Sequence, residues 1–395
     1  MKQARPAVAV YVRGYLTTSM TFVHRQLSSL DRFDAFGMCR FRQEGTRFPD
    51  PPGGLAEFPP LARGVERVLR RNRPVALGEH TLLERAYYHR VLAQRRPLLV
   101  HAHFADYALA VLPACEATGT PLMVTFHGYD GSKRLLESAF RDRYLELLDK
   151  ATLVVGVSAK MRDRLIEFGA PADRTAAHYI GVTLPPPPDD DEREEGLVVQ
   201  VARLVEKKGH RTTLEAFARA QATVPGLRLI LAGDGPLRSE LEREVERLHL
   251  TSAVVFAGDL PYADVERLLR RASIFVHPSV TTTAGDEEGI PTTVVEAMAN
   301  GLPVIATHHA GIPELVEPGT GVLAREHDAV TVGDAMARLA KDPPSGREMG
   351  ARARASVELR FDLTRNTALL QDAYELVGQR DGVGAAGLLN ERLSG

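Results

Sequence analysis

The strongest constraint on this chain is an alternation. From residue 197 onward, short apolar runs at 197–202, 227–232, 254–257, 274–276 and 304–306 have the length and composition of buried strands. Helical periodicity fills the intervals 210–224, 236–250, 262–272 and 291–300. Strand and helix in strict turn, with strands apolar on both faces, specify a parallel sheet covered by helices. A polar signature follows each of the first four runs: Arg203 and Lys208, then Gly233-Asp234-Gly235, then Gly258, then His277 and Glu288. Open α/β sheets bind ligands at the carboxyl ends of their strands, so this alignment defines one crevice. No Gly-x-Gly-x-x-Gly follows any of these strands, which disfavours a dinucleotide-dependent oxidoreductase.

The first half follows the same rule less regularly. Runs at 8–12, 98–104, 122–126 and 152–157 read as strands, and Gly14 falls in the loop leaving the first of them. A helix then places Phe22, Val23, Leu27 and Leu30 inside. Residues 47–60, rich in Pro and Gly, read as a loop. Residues 61–73 have apolar positions 61, 65, 68 and 69 at helical spacing with arginines opposite, which predicts a core-packed helix with a solvated basic face or a helix lying on a membrane surface. The pair His101-x-His103 lacks the third ligand that a metal site needs.

Residues 185–195 run from four prolines into a cluster of acids, a stiff and self-repelling linker. The chain therefore divides into a first domain at 1–184, the linker at 185–195 and a second domain at 196–360. A final helix at 361–380 carries Phe361, Leu369, Leu370, Tyr374 and Leu376, and a ragged tail occupies 381–395. With 395 residues there is enough chain for two cores of ordinary size. The net charge of -2 conceals an asymmetry, because residues 1–184 hold 26 Lys and Arg against 18 Asp and Glu, while the remainder holds 23 against 33. A basic first half suits an anionic saccharide, lipid phosphate or membrane surface, or is simply solvated. Cys39 and Cys115 form no pairing pattern, and the first apolar run is too short for a signal peptide or a membrane span. Both observations predict a cytoplasmic protein, with peripheral contact at the inner face of the membrane as a further expectation.

Glu288 and Glu296 lie eight residues apart across the start of a helix, with Gly289, Ile290 and the helix-starting Pro291 between them. Were that span fully helical, the carboxylates would stand roughly 12 Å apart along the axis. That exceeds the roughly 5–9.5 Å between the acids of a glycosidase. It suits a grip on the two ends of a sugar nucleotide, with the helix N-terminus between them as a seat for the diphosphate.

The frame Glu288-Gly-Ile-Pro through Glu296-Ala-Met-Ala to Gly311-Ile-Pro-Glu314 resembles the signature of the retaining GT-B glycosyltransferases of family 4, the glycosyl transferases group 1. The phrase at 17–22 resembles that of the exopolysaccharide, colanic-acid-type bacterial branch. This resemblance implies an α/β protein of GT-B fold: two Rossmann-like domains facing each other across a cleft that holds the active site, with a C-terminal helix crossing back to the first domain. It implies that Arg203 and Lys208 bind the donor diphosphate, that His127 in Thr125-Phe-His-Gly-Tyr-Asp130 reaches the donor sugar, and that Glu288 acts beside that sugar. Gly14, Gly233, Gly258, Gly289, Ile290, Pro291 and Glu296 complete the implied donor site, with Glu296 on the nucleotide side. Three positions depart from the pattern: Met20 replaces an acidic residue, Gly14 stands where two glycines are common, and Thr183 replaces an aspartate.

By the same analogy the reaction retains anomeric configuration, the donor diphosphate takes the acceptor's proton, and no metal, no cofactor and no nucleic acid takes part. The donor is a UDP-hexose or, second, GDP-mannose. The acceptor is a saccharide or lipid-linked saccharide of surface polysaccharide assembly, or alternatively a small natural product such as an aminocyclitol. A sugar-nucleotide epimerase and a non-catalytic nucleotide-sugar-binding subunit are the rival readings.

Overall fold

The computed structural model describes residues 5–15, 20–42, 49–69, 81–187 and 190–391, with the side chains of 66–69 and 190 excepted. The chain forms two compact units, one of Met1–Gly181 with Leu363–Gly395 and one of Val182–Asp362.

The first unit begins with β1 (Ala7–Tyr11) and β2 (Gly14–Tyr15), α1 (Thr21–Ser28), and β3 (Asp34–Cys39), β4 (Phe41–Arg42) and β5 (Leu55–Glu57). Helices α2 (Pro60–Leu69) and α3 (Leu82–Arg95) lead to β6 (Val100–His103), α4 (Ala105–Thr118) and β7 (Leu122–Phe126). Next come α5 (Lys133–Leu136), α6 (Ser138–Lys150), β8 (Leu153–Gly156), α7 (Ala159–Phe168) and β9 (Thr175–Ala177). Among the described residues, seven strands form one parallel sheet in the order β5-β3-β1-β6-β7-β8-β9. The order reverses between β1 and β6, so the topological switch point lies there.

The second unit runs β10 (Leu197–Val201), α8 (His210–Thr223), β11 (Arg228–Ala232), α9 (Arg238–Arg247), β12 (Val254–Gly258), α10 (Tyr262–Arg271) and β13 (Ile274–His277). It continues with α11 (Thr292–Ala299), β14 (Val304–Thr307), α12 (Ile312–Leu315), β15 (Gly321–Ala324), α13 (Ala329–Lys341) and α14 (Pro343–Arg360). Its described strands form a second parallel sheet in the order β12-β11-β10-β13-β14-β15, and the switch point falls between β10 and β13. The core against it includes Val198, Leu214, Phe217, Leu229 and Val276.

Several expectations change. The loop expected at 47–60 contains β5, which pairs with β3; neither strand stands out in sequence, because Gly37 and Gly53-Gly54 interrupt the apolar pattern. The core-packed reading of 61–73 is overturned where it can be followed: Leu61 is 87% and Val65 51% exposed. Arg63 lies on the inward side instead, bonding the Arg40 carbonyl at 3.1 Å and Glu57 at 3.0 Å. The side chains at 68 and 69 and all of 70–73 lie outside the described residues, as does 16–19, which includes the first half of the 17–22 phrase. Gly14 begins a short strand paired with β4, and a Cβ there would stand 2.9 Å from the Phe41 ring.

The stretch expected as a tail is also corrected. The segment after α14 forms α15 (Leu363–Gly378) and then α16 (Gly382–Glu391), and both pack into the first unit. Leu370, Ala373, Tyr374, Val377, Ala385, Ala386 and Leu389 join Val8, Val10, Leu99, Met123 and Val155 in one core. The small residues that make 382–387 look structureless are what admit the helix, since a Cβ on Gly382 would lie 1.9 Å from the Thr152 carbonyl oxygen.

Candidate active site

In the second unit the crevice is built at the switch point. Gln200, a buried polar residue in the otherwise apolar β10, donates to the Lys208 carbonyl at 2.7 Å and accepts from the Thr213 hydroxyl at 2.8 Å. Those bonds bind the segment after β10 to the first turn of α8. Gly209 closes the turn with φ of 66°, and a Cβ there would lie 1.8 Å from the Pro278 carbonyl oxygen, so the segments after β10 and β13 touch backbone to backbone. Arg203 is exposed just past β10. Leu204 N donates to the Asp234 carbonyl at 3.0 Å, and Gly233 N to the Gly258 carbonyl at 2.8 Å, which draws the three glycine and arginine signatures together.

Glu288 sits in the loop between β13 and α11, 8% exposed. Its Oε1 lies 2.5 Å from Lys208 Nζ, 3.4 Å from Ser279 Oγ and 3.9 Å from His277 Nε2, the last beyond hydrogen-bonding reach. Burial opposes ionisation of Glu288, but the Lys208 ammonium, with Lys207 behind it, outweighs burial and holds the carboxyl well below the usual carboxylate range. Lys207 pairs with Asp286 at 3.0 Å. His277 is fully buried, and burial lowers its pKa below the ordinary value. His210, at the start of α8, is pushed down to about 3 by burial, with His277 and Lys208 adding to it.

Gly289, Ile290 and Pro291 are buried, and Pro291 occupies the N-cap of α11 rather than its first turn. Glu296 lies one turn into that helix and is 8% exposed. It lines a pocket with Thr183, Tyr262, Val265, Leu269 and Asn300. The two glutamates thus have different surroundings, one fixed on an ammonium and one facing a partly apolar hollow.

His127 and Gly14 belong to the first unit. His127 directly follows β7, where Asp130 holds the loop: its carboxylate accepts from the backbone N–H groups of His127 at 3.0 Å, Gly128 at 3.1 Å and Ala105 at 3.0 Å. Burial pushes Asp130 up to about 6 despite those three donors. His127 Nε2 is 3.0 Å from His103 Nδ1. His101 spends both ring nitrogens, on Tyr374 at 2.6 Å and Thr125 at 2.7 Å, leaving neither for a metal. Burial keeps the rings neutral, with His103 lowered to about 3 and His101 and His127 well below the usual imidazole range.

Sequence reading missed Gln200, Thr213, Asp130, His309 and Glu326. Only Asp130 and His309 lie inside quoted frames. Gln200 and Thr213 meet across 13 residues and Glu326 reaches back 45 residues to Thr281, pairings that single-sequence spacing does not reveal.

Residues 188–356 match the family model of glycosyl transferases group 1, and residues 44–184 match that of glycosyltransferase family 4. The amylovoran biosynthesis glycosyltransferase AmsK of Erwinia amylovora is 31% identical over 281 residues, 69% of this chain and 69% of that protein. WcaL of Salmonella typhimurium, named for colanic acid biosynthesis, is 34% identical over 268 residues, and the chain spans 66% of its length, just under two thirds. Among solved structures, HepE of Anabaena in complex with UDP-glucose has a TM-score of 0.75 at 19% identity, covering 94% of this chain and 100% of that one, a likeness of fold. The chain belongs to the GT-B glycosyltransferases of family 4, the glycosyl transferases group 1.

Proposed function

We propose that this protein transfers a hexose, with retention of configuration, from a nucleoside diphosphate sugar to a hydroxyl of a saccharide or lipid-linked saccharide in exopolysaccharide assembly. A UDP-sugar is the favoured donor and GDP-mannose the second. The observation that carries the reading is the buried ion pair of Glu288 and Lys208 at the β10–β13 switch point, beside the N-terminus of α11. As the diphosphate leaves, positive charge grows on the sugar ring and negative charge on the phosphates. A carboxylate and an ammonium fixed side by side favour both changes. A carboxylate already engaged by an ammonium is a poor nucleophile, which supports direct front-face transfer with the diphosphate taking the acceptor proton. Arg203, Lys208 and the α11 N-terminus hold the diphosphate without a metal ion. The names of AmsK and WcaL support an exopolysaccharide product. The exposed Leu61 and Val65 on α2 support contact with a membrane surface, where a lipid-linked acceptor would lie.

Turnover of a panel of UDP-hexoses and GDP-mannose, with and without lipid-linked acceptor, tests the reading. Transfer to acceptor is expected and persists in excess chelator. Loss of activity in EDTA with recovery in magnesium or manganese overturns metal independence, and conversion of the donor sugar without transfer identifies an epimerase. The two glutamates are expected to fail differently. Glu296→Gln mainly raises the donor KM, because its contacts are alike in ground and transition states. Glu288→Gln lowers kcat by roughly tenfold or more, the worth of one charged hydrogen bond.

A further inference from the structure

We propose that His309 and Glu326 are positioning residues for Glu288, fixing the loop that carries it through a hydrogen bond whose direction is set by the tautomer of His309. The proposal rests on the role given to Glu288 above. His309 lies just past β14, fully buried, and its Nε2 accepts the backbone N–H of Glu288 at 3.1 Å. A ring nitrogen that accepts from an amide carries no proton, so the proton of this imidazole is on Nδ1. That nitrogen lies 2.6 Å from Glu326 Oε1 and donates to it.

Glu326 holds the ring and a second loop at once. Its carboxylate also accepts from Thr281 N at 2.8 Å and Thr281 Oγ1 at 3.1 Å, at the start of the segment that leads from β13 to Glu288. Gly311 N donates to the Gly289 carbonyl at 3.2 Å, so the residue next to Glu288 is tied to the same turn. The turn itself is strained: Ala310 has φ of 44°, a left-handed conformation that a residue with a Cβ adopts only when its surroundings enforce it. The loops after β13, β14 and β15 thereby form one clamp around the Glu288 backbone, while Lys208 and Ser279 hold its carboxylate from the other side. The free histidine side chain favours the proton on Nε2. In that form it would present a donor to the Glu288 N–H, and the loop would lose its anchor. Glu326 selects the tautomer that accepts.

The first test uses ¹⁵N-histidine-labelled protein of full length. His309 is expected to carry its proton on Nδ1, and Glu326→Leu to shift it toward Nε2; an Nε2-protonated His309 in the unaltered protein overturns the proposal without any substrate. The second test reads release of nucleoside diphosphate from whichever of UDP-glucose, UDP-galactose, UDP-N-acetylglucosamine and GDP-mannose the unaltered protein uses fastest. His309→Leu is expected to lower kcat roughly tenfold, as a small misplacement near the reacting bond does, with the affinity for free UDP or GDP within about twofold. His309→Gln, whose amide oxygen reaches the place of Nε2, is expected to recover most of the loss. In the double variant Glu288→Gln, His309→Leu the second change should add nothing to the first. An additive penalty, or full kcat in His309→Leu beside an impaired Glu288→Gln, overturns the positioning role alone. Full kcat in Glu288→Gln overturns the reading on which it rests.

Discussion

The two units carry their polar residues at the carboxyl ends of parallel strands in opposite ways. In the first, His103 stacks on His127 and hydrogen-bonds to it while His101 lies tilted against His103, and burial has removed the charge from all three. In the second, Lys208 with Glu288 and Lys207 with Asp286 form ion pairs. A buried group can either give up its charge or hold a counter-charge within reach, and the two solutions serve different ends. Neutral rings offer directed donors and acceptors, suited to sugar hydroxyls. A fixed ion pair offers a field, suited to a diphosphate and a ring that gains charge. Under the proposed function, the same sheet architecture would supply recognition by direction in one unit and by charge in the other.

The largest expected effect tests the charged half. Removing the ammonium in Lys208→Ala leaves burial of Glu288 unopposed by its main partner, so its carboxyl rises and the diphosphate loses a cation. A fall in kcat/KM of about a hundredfold is expected, with the acid limb of the pH profile displaced upward. In the neutral half, His127→Asn removes ring contacts but no charge, and a fall on the order of tenfold is expected. A larger loss in His127→Asn than in Lys208→Ala would break the contrast.

Acid stability sharpens it next. The first unit buries His101, His103, His127 and His178, all lowered from the ordinary 6.5, His103 to about 3 and His178 to about 4. Such a group takes up its proton first in the unfolded chain, so the stability it lends is complete above pH 6.5 and is lost progressively as pH falls toward the folded value. Asp130, raised to about 6, offsets part of this below that pH. In the second unit His210 and His277 act likewise, while Glu288 gives up its contribution only as pH falls below the ordinary 4.5. Between pH 7 and 5 the first unit should lose roughly 2 kcal/mol more than the second, read by hydrogen exchange resolved for each unit. Equal losses would refute the account. The smallest effect is Tyr374→Phe, which leaves His101 Nδ1 buried without its partner and should cost about 1 kcal/mol in thermal unfolding at unchanged kcat.

The second unit was the more legible in sequence for the same physical reason that it is regular. Expected strands at 197–202, 227–232 and 274–276 correspond to Leu197–Val201, Arg228–Ala232 and Ile274–His277, because strands covered on both faces are unbroken apolar runs. In the first unit β3 is Asp34–Cys39, with an acid and a glycine among its six residues, and β9 has only three residues; neither leaves a periodic trace. Within the candidate site, Lys208 and Glu288 were read as separate contacts to one donor. Their pairing depends on Gly209 meeting Pro278, a backbone approach across two loops that no residue spacing encodes. His309 was hidden because its ring serves a backbone amide 21 residues away, and any residue but proline at 288 supplies that amide.

Because Leu363–Gly395 completes the first unit, the second unit is an insertion within it, entered after Gly181 and left after Asp362. During synthesis the inserted unit has all its strands and helices before its host does. The host sheet must wait, with Val8, Leu99, Met123 and Val155 lacking the cover of Leu370, Tyr374, Ala385 and Leu389, until α15 and α16 emerge. A nascent chain paused between β9 and α15 therefore shows water an apolar sheet face, and a chain cut before Leu363 would carry a finished insert inside an unfinished and aggregation-prone host.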